Sequence, residues 1–148
     1  MARAAVFIDG AYFDNVLLNF GRMKVDYEKF SDSLCQGYER LRTYYYHCLP
    51  YQSSPPTAQE SQKYASMRMF LSTLERLSRF EVRLGKIAKY GQDPPRQKQV
   101  DALLAIDLVR LTAKQQISKA ILVVGDGDHV PAVKSAKEEG AIVDLCFL

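Results

Sequence analysis

The residues of this chain best suited to chemistry are aspartates, and four of them stand where an element ends or begins. Residues 120–124, Ala-Ile-Leu-Val-Val, read as a strand buried on both faces, and the chain then turns through Gly125-Asp126-Gly127-Asp128. A single Asp there would do no more than make a turn or cap the next helix. Two carboxylates around a glycine, at the edge where open α/β sheets bind ligands, suggest a larger role. Asp9 closes another apolar run, Ala4-Ala5-Val6-Phe7-Ile8, and Asp101 stands near the start of a predicted helix, where the helix dipole favours a carboxylate. Bare carboxylates a few ångströms apart repel, and a divalent cation removes that cost. All-oxygen ligands select Mg²⁺ or Mn²⁺, which usually keep waters and take further ligands from phosphate oxygens. Asp9, Asp101, Asp126 and Asp128 are therefore the expected catalytic and metal-binding residues, and the expected chemistry is metal-assisted hydrolysis of a phosphodiester.

Other polar residues have plainer readings. Asp107 lies six residues after Asp101, roughly 9 Å along a helix and ~240° around it, so the two are not expected to share an ion. Asp107 is read as structural, or as supporting a ligand from behind. His129, at a helix start, is read as a surface residue, with contact to a scissile phosphate as the alternative. His47 is read as a structural strand residue. The run Tyr44-Tyr45-Tyr46 reads as strand packing rather than as a stacking platform for bases.

The elements that must position these groups alternate. Strand one, 4–8, ends at Asp9-Gly10, and a helix from Ala11 to about Phe20 stops at Gly21. A second helix is predicted from Asp26 to Tyr38, and a strand over 41–49 closes at Pro50. A loop over 51–57 leads into a helix from Ala58 to about Ser78, followed by a strand over 80–84. A loop at Gln92-Asp93-Pro94-Pro95 precedes a helix predicted from Arg96 to Lys114, with Val100, Leu103, Leu104, Leu108 and Leu111 as its apolar face. Strand 120–124, a helix from Val130 to Glu139 and a strand from Ala141 to Leu148 complete the order. Ending within or just after a strand is consistent with a missing C-terminal extension. Such alternation predicts one domain, residues 1–148, with an α/β fold: a mainly parallel five-stranded sheet and helices on both faces.

Composition bounds the partners. The chain has 148 residues, 47% hydrophobic and 25% charged, as expected of one globular domain. No apolar run is long enough to span a membrane, and the N-terminus reads as a first strand rather than a signal peptide. Cys35, Cys48 and Cys146 are odd in number and widely spaced, as small buried residues in a reducing cytoplasm would be. Two histidines and no Cys-x-x-Cys give no zinc pattern. There is no Walker lysine loop and no Gly-x-Gly-x-x-Gly. The net charge is only +3, yet residues 76–98 hold seven basic groups against Glu81 and Asp93. A basic middle beside acidic strand ends suits a protein that binds a polyanion and a cation together, and Lys86, Lys89, Arg96 and Lys98 are the candidate phosphate contacts.

Three segments carry a family resemblance: Val-Phe-Ile-Asp-Gly (6–10), Gln-Val-Asp-Ala-Leu-Leu-Ala-Ile-Asp-Leu (99–108) and Ile-Leu-Val-Val-Gly-Asp-Gly-Asp (121–128), with a trailing Gly-Ala-Ile-Val (140–143). In this order the chain resembles the NYN domain family, PIN-like nucleases that include the bacterial LabA-like proteins. The resemblance implies a three-layer α/β/α sandwich and Mg²⁺- or Mn²⁺-dependent cleavage of RNA. By motif it makes Asp9, Asp101 and Asp126 metal ligands, and Asp128 a ligand directly or through water. Three positions depart from the family pattern. Tyr12 stands where Asn is frequent, Val124 where Ser commonly precedes the Gly-Asp-Gly-Asp, and His129 where Phe commonly follows it. The expected activity is an endoribonuclease acting on single-stranded RNA, which can follow a shallow acidic edge flanked by basic groups. The alternative is a non-catalytic module binding RNA or a protein partner, and a second copy of the chain is a further candidate partner. A Toprim-like or phosphatase enzyme fits less well, because the first is usually marked by an early Glu and Asp9-Gly10 lacks the second carboxylate of the common phosphatases.

Overall fold

The structure, a computed structural model, describes residues 2–125 and 129–146, apart from the side chain of Val130. In chain order the elements are β1 (Arg3–Asp9), α1 (Gly10–Asn19), α2 (Tyr27–Leu34), β2 (Glu39–His47), α3 (Ala58–Glu75) and β3 (Phe80–Leu84). They continue as β4 (Lys86–Ala88), β5 (Arg96–Lys98), α4 (Val100–Ala113), β6 (Lys119–Val123), α5 (Val130–Glu138) and β7 (Ile142–Cys146).

Five strands form one parallel sheet in the order β3-β2-β1-β6-β7. Its centre is β1, whose residues Ala4 to Ile8 are wholly shielded from solvent. Alternate side chains of β1 feed two cores. Ala5 and Phe7 pack with Leu104, Leu108 and Leu111 of α4 and Ala132 and Ala136 of α5. Ala4, Val6 and Ile8 pack with Phe13 of α1, Tyr27 of α2 and Leu71 and Leu74 of α3. The result is the expected α/β/α sandwich around a five-stranded sheet. From β1 the chain steps outward to β2 and β3, then returns across the sheet to place β6 against the other side of β1. The winding direction therefore reverses between β1 and β6, and a crevice opens there at the carboxyl ends of the strands.

Two predicted helices are corrected. The helix expected over 26–38 ends at Leu34, because the chain turns at Cys35 and passes through Gly37 at φ +82°. The helix expected to begin at Arg96 begins at Val100, and Arg96–Lys98 instead pairs antiparallel with β4 in a separate two-stranded ribbon. Arg96-Gln97-Lys98 offers no apolar face to a helix, and the buried stripe starts only at Val100. Gly85 lets the ribbon close, since a Cβ there would run into the Lys98 carbonyl. Gln99, held at φ +72°, turns the chain out of the ribbon into α4.

The tyrosine run packs as expected: Tyr44, Tyr45 and Tyr46 are all buried. His47 ends β2, its Nε2 2.8 Å from Asp14 Oδ2 and its Nδ1 2.8 Å from the Cys48 amide nitrogen. The three cysteines are free thiols.

Candidate metal centre

Each side of the β1/β6 crevice receives its candidate side chain from the junction of two elements. On one side β1 runs directly into α1, so Asp9 is both the last strand residue and the cap of the helix. Its Oδ1 accepts the Tyr12 backbone N–H at 3.3 Å, which fixes the carboxylate at the helix entrance. Gly10 makes this abrupt start possible: a Cβ on it would lie 2.7 Å from the Tyr46 carbonyl oxygen and 2.6 Å from the His47 ring. Opposite, the left-handed turn at Gln99 starts α4 and sets Asp101 in its first turn. Behind them β6 leads through Val124 and Gly125 towards α5, at whose N-terminal end His129 sits.

Asp9, Asp101 and His129 converge. Each offers a ligand atom, and these atoms all lie within 4.8 Å of one another. The His129 Nε2 is 3.6 Å from Asp101 Oδ1. Asp9 is half-buried, Asp101 is exposed, and His129 is only 5% exposed. The surface position expected for His129 is thus corrected: its imidazole is enclosed, and its Nδ1 has no hydrogen-bond partner among the described residues. Asp107 does not join the group. It is buried on α4, accepting the Tyr46 hydroxyl at 2.8 Å and bonding Arg110 at 2.8 Å and Arg83 at 3.3 Å, which makes it structural. Asp126 and Asp128, also expected at the site, lie outside the described residues.

The electrostatics single out the Asp9–Asp101 pair. Burial pushes the Asp9 carboxyl above its ordinary range, the nearby Asp101 charge pushes it further, and the Tyr12 amide and His129 pull it back. Among the described residues no Lys or Arg forms an ion pair with Asp9 or Asp101. Asp32, Asp107 and Asp144, in contrast, each have one: Arg40, the Arg83 and Arg110 pair, and Lys119. Two carboxylates that pair with no Lys or Arg among the described residues, beside an enclosed imidazole, form a donor set that fits a divalent ion.

A cleft of about 350 Å³ opens over this group, lined by Asp9, Tyr12, Asn15, Gln97, Gln99, Val100, Asp101 and Gly125. Gln97 and Gln99 come from β5 and the turn after it, so the unpredicted ribbon forms one wall. The four candidate phosphate contacts are carried by this ribbon and its connecting loop, and all are exposed. Lys86 is paired across the ribbon with Lys98, and Ala88 with Arg96. Alternation therefore puts Lys86, Arg96 and Lys98 on the ribbon face opposite Gln97. Lys98 lies 4.6 Å from the centre of the Tyr90 ring, and Lys89 5.3 Å from that of Tyr51.

The family model for the NYN domain matches residues 3–147. The chain belongs to the NYN domain family. The family points to a PIN-like nuclease fold, and the acidic group described above stands within it. Among solved structures, a protein of unknown function from Vibrio parahaemolyticus is similar in fold, at 20% identity and a TM-score of 0.67. That similarity covers 99% of this chain and 82% of the other. No curated protein matches the sequence. No helix among the described residues is long and apolar enough to cross a membrane.

Proposed function

We propose that this NYN domain is a divalent-metal-dependent endoribonuclease acting on single-stranded RNA. The observation that carries the reading is the meeting of Asp9 and Asp101 at the β1/β6 crevice with no Lys or Arg ion-paired to either among the described residues. NYN proteins are generally nucleases, which supports assigning that pair to phosphodiester chemistry. In this reading Asp9, Asp101, Asp126 and Asp128 hold Mg²⁺ or Mn²⁺. When bound, the ion lowers the pKa of a water and offsets charge on the scissile phosphate.

The chain's own groups do the rest. Asp9 is pinned by the Tyr12 amide, so it presents its carboxylate without reorganising. Gln97, Gln99 and Asn15 offer amide donors to phosphate or ribose oxygens along the cleft wall. The α1, α4 and α5 N-terminal ends add partial positive charge where an anionic backbone would lie. Lys86, Arg96 and Lys98, on the ribbon face away from Gln97, and Lys89 in its loop supply longer-range, screening-sensitive attraction rather than contacts inside the cleft.

The test is cleavage of a labelled single-stranded RNA by purified protein, with Mn²⁺, Mg²⁺ or a chelator. Cleavage should need the ion and should be lost in Asp101→Asn and Asp126→Asn variants that keep the wild-type circular dichroism. Equal cleavage by those variants would place the activity elsewhere. RNA binding at low salt with no cleavage under either ion would replace this reading with that of a binding module.

A further inference from the structure

We propose that His129 is a direct nitrogen ligand of the ion at this centre, and that it biases the site towards Mn²⁺ and other transition ions over Mg²⁺. The inference rests on the proposed function, since it assigns a further ligand to the same site. Three observations carry it. The imidazole is almost completely buried, yet its Nδ1 makes no hydrogen bond among the described residues. The other nitrogen, Nε2, faces Asp101 at 3.6 Å, too far for the 2.7–2.9 Å expected of a charge-assisted hydrogen bond. It is nonetheless close enough for both groups to act as donors to one ion, and Asp9 completes the set within 4.8 Å.

The chain's other histidine shows what a structural imidazole looks like in this fold. His47 has both ring nitrogens engaged, Nε2 by Asp14 at 2.8 Å and Nδ1 by the Cys48 backbone. His129 has neither nitrogen within hydrogen-bonding distance of a partner among the described residues. Only His129 is held out of water beside carboxylates that pair with no Lys or Arg among the described residues.

The chemical consequence follows from ligand type. Mg²⁺ is a hard cation that takes oxygen ligands and sheds water reluctantly. Imidazole nitrogen suits the later first-row transition ions best, and Mn²⁺, at the weak end of their series, still accepts it more readily than Mg²⁺ does. Adding one imidazole to a carboxylate set therefore raises Mn²⁺ affinity more than Mg²⁺ affinity.

The chain's two histidines make the test direct. Purified protein, unlabelled or carrying ¹⁵N-histidine, is loaded with Mn²⁺ alone and measured by pulsed electron paramagnetic resonance. A histidine nitrogen coupling to Mn²⁺ is expected in wild type and in His47→Gln, and its loss in His129→Gln. Calorimetry with each ion should show Mn²⁺ binding weakened by roughly tenfold in His129→Gln, with Mg²⁺ binding nearly unchanged. The wild-type spectrum decides the matter even if the variant does not fold. Stoichiometric Mn²⁺ without histidine coupling, or a coupling lost in His47→Gln instead, would overturn this inference and leave the carboxylate site standing. No Mn²⁺ binding at all would overturn the proposed function with it.

Discussion

Replacing Asp9 by Asn should stabilise the metal-free protein and destabilise the metal-loaded one relative to wild type. The substitution keeps the cap, because an Asn side-chain oxygen can accept the Tyr12 N–H as Asp9 does at 3.3 Å. What it removes is a half-buried negative charge facing Asp101, with ligand atoms no more than 4.8 Å apart. At that separation the repulsion is about 1 kcal/mol under water-like screening and about 3 kcal/mol at an effective dielectric constant near 20. Asp101 is exposed, so the lower figure applies. For a chain of this size about 1 kcal/mol moves the melting temperature by roughly 2–4 °C, upward here and measured in chelator. The sign with pH follows from the raised Asp9 carboxyl. The native state holds that proton more tightly than the unfolded chain does. Wild type therefore loses stability as pH climbs from the ordinary Asp value of 3.8 through the raised one, and Asp9→Asn does not. With Mn²⁺ at a hundred times its dissociation constant, wild type should gain about 2.7 kcal/mol while the variant gains much less, so the order of melting temperatures inverts. A variant that melts below wild type in chelator, or rises as far with Mn²⁺, would refute the argument.

Three more outcomes separate the site from its scaffold. Asp107→Ala strands Arg83, Arg110 and the buried Tyr46 hydroxyl. Because both arginines are partly exposed and can be hydrated, it should cost about 1–3 kcal/mol in denaturant unfolding, mainly from the unsatisfied Tyr46 hydroxyl, while Mn²⁺ affinity measured by calorimetry stays unchanged. Arg96→Ala and Lys98→Ala should weaken RNA binding across sequences, each reducing the slope of log affinity against log salt by about 0.7 in a fluorescence titration. Glu60 is held at a pKa of about 2, first by the Ser53 hydroxyl and then by the Thr57 amide in the α3 capping box. Its depressed value means a stabilisation present above its ordinary value of 4.5 and lost as pH falls towards about 2. Amide exchange at the start of α3 should accelerate over that window in wild type and stay flatter in Glu60→Gln.

The framework was legible where local pattern decides structure. The runs 4–8 and 120–124 are apolar and rich in β-formers, and they became the two central strands that flank the crevice. Asp9 and Asp101 could be singled out by their places at element ends, but their meeting could not be read from spacing. It depends on β6 returning to the side of β1 away from β2, which is a long-range pairing. The β4–β5 ribbon was not legible. Arg96-Gln97-Lys98 has no apolar residue and Lys86-Ile87-Ala88 is too short to show a pattern, so the ribbon depends on their mutual pairing and the close approach at Gly85. The enclosure of His129 does not show in the local sequence, because a lone histidine at a helix start looks solvent-facing. The signal available was the Phe that commonly occupies this position in the NYN family, which marks the position as enclosed.

Charge compensation separates several buried or paired acids of this fold from the Asp9–Asp101 pair. Asp32, Asp107 and Asp144 each sit against Arg or Lys, and Asp14 takes His47 and the Tyr45 hydroxyl. Those carboxylates are satisfied by the chain itself, and their removal leaves stranded donors. Asp9 accepts a backbone N–H, and Asp101 faces an imidazole beyond hydrogen-bonding distance. Three helix ends soften the repulsion between them but do not cancel it, since each contributes only about half a unit of charge. An arrangement serving stability alone would do better with one of the pair neutral, because like charges at this separation oppose folding. Under the proposed function, their persistence beside an imidazole whose Nδ1 has no hydrogen-bond partner among the described residues is what a centre completed by a cation requires, with the unfavourable term borne by the metal-free state and reversed on binding.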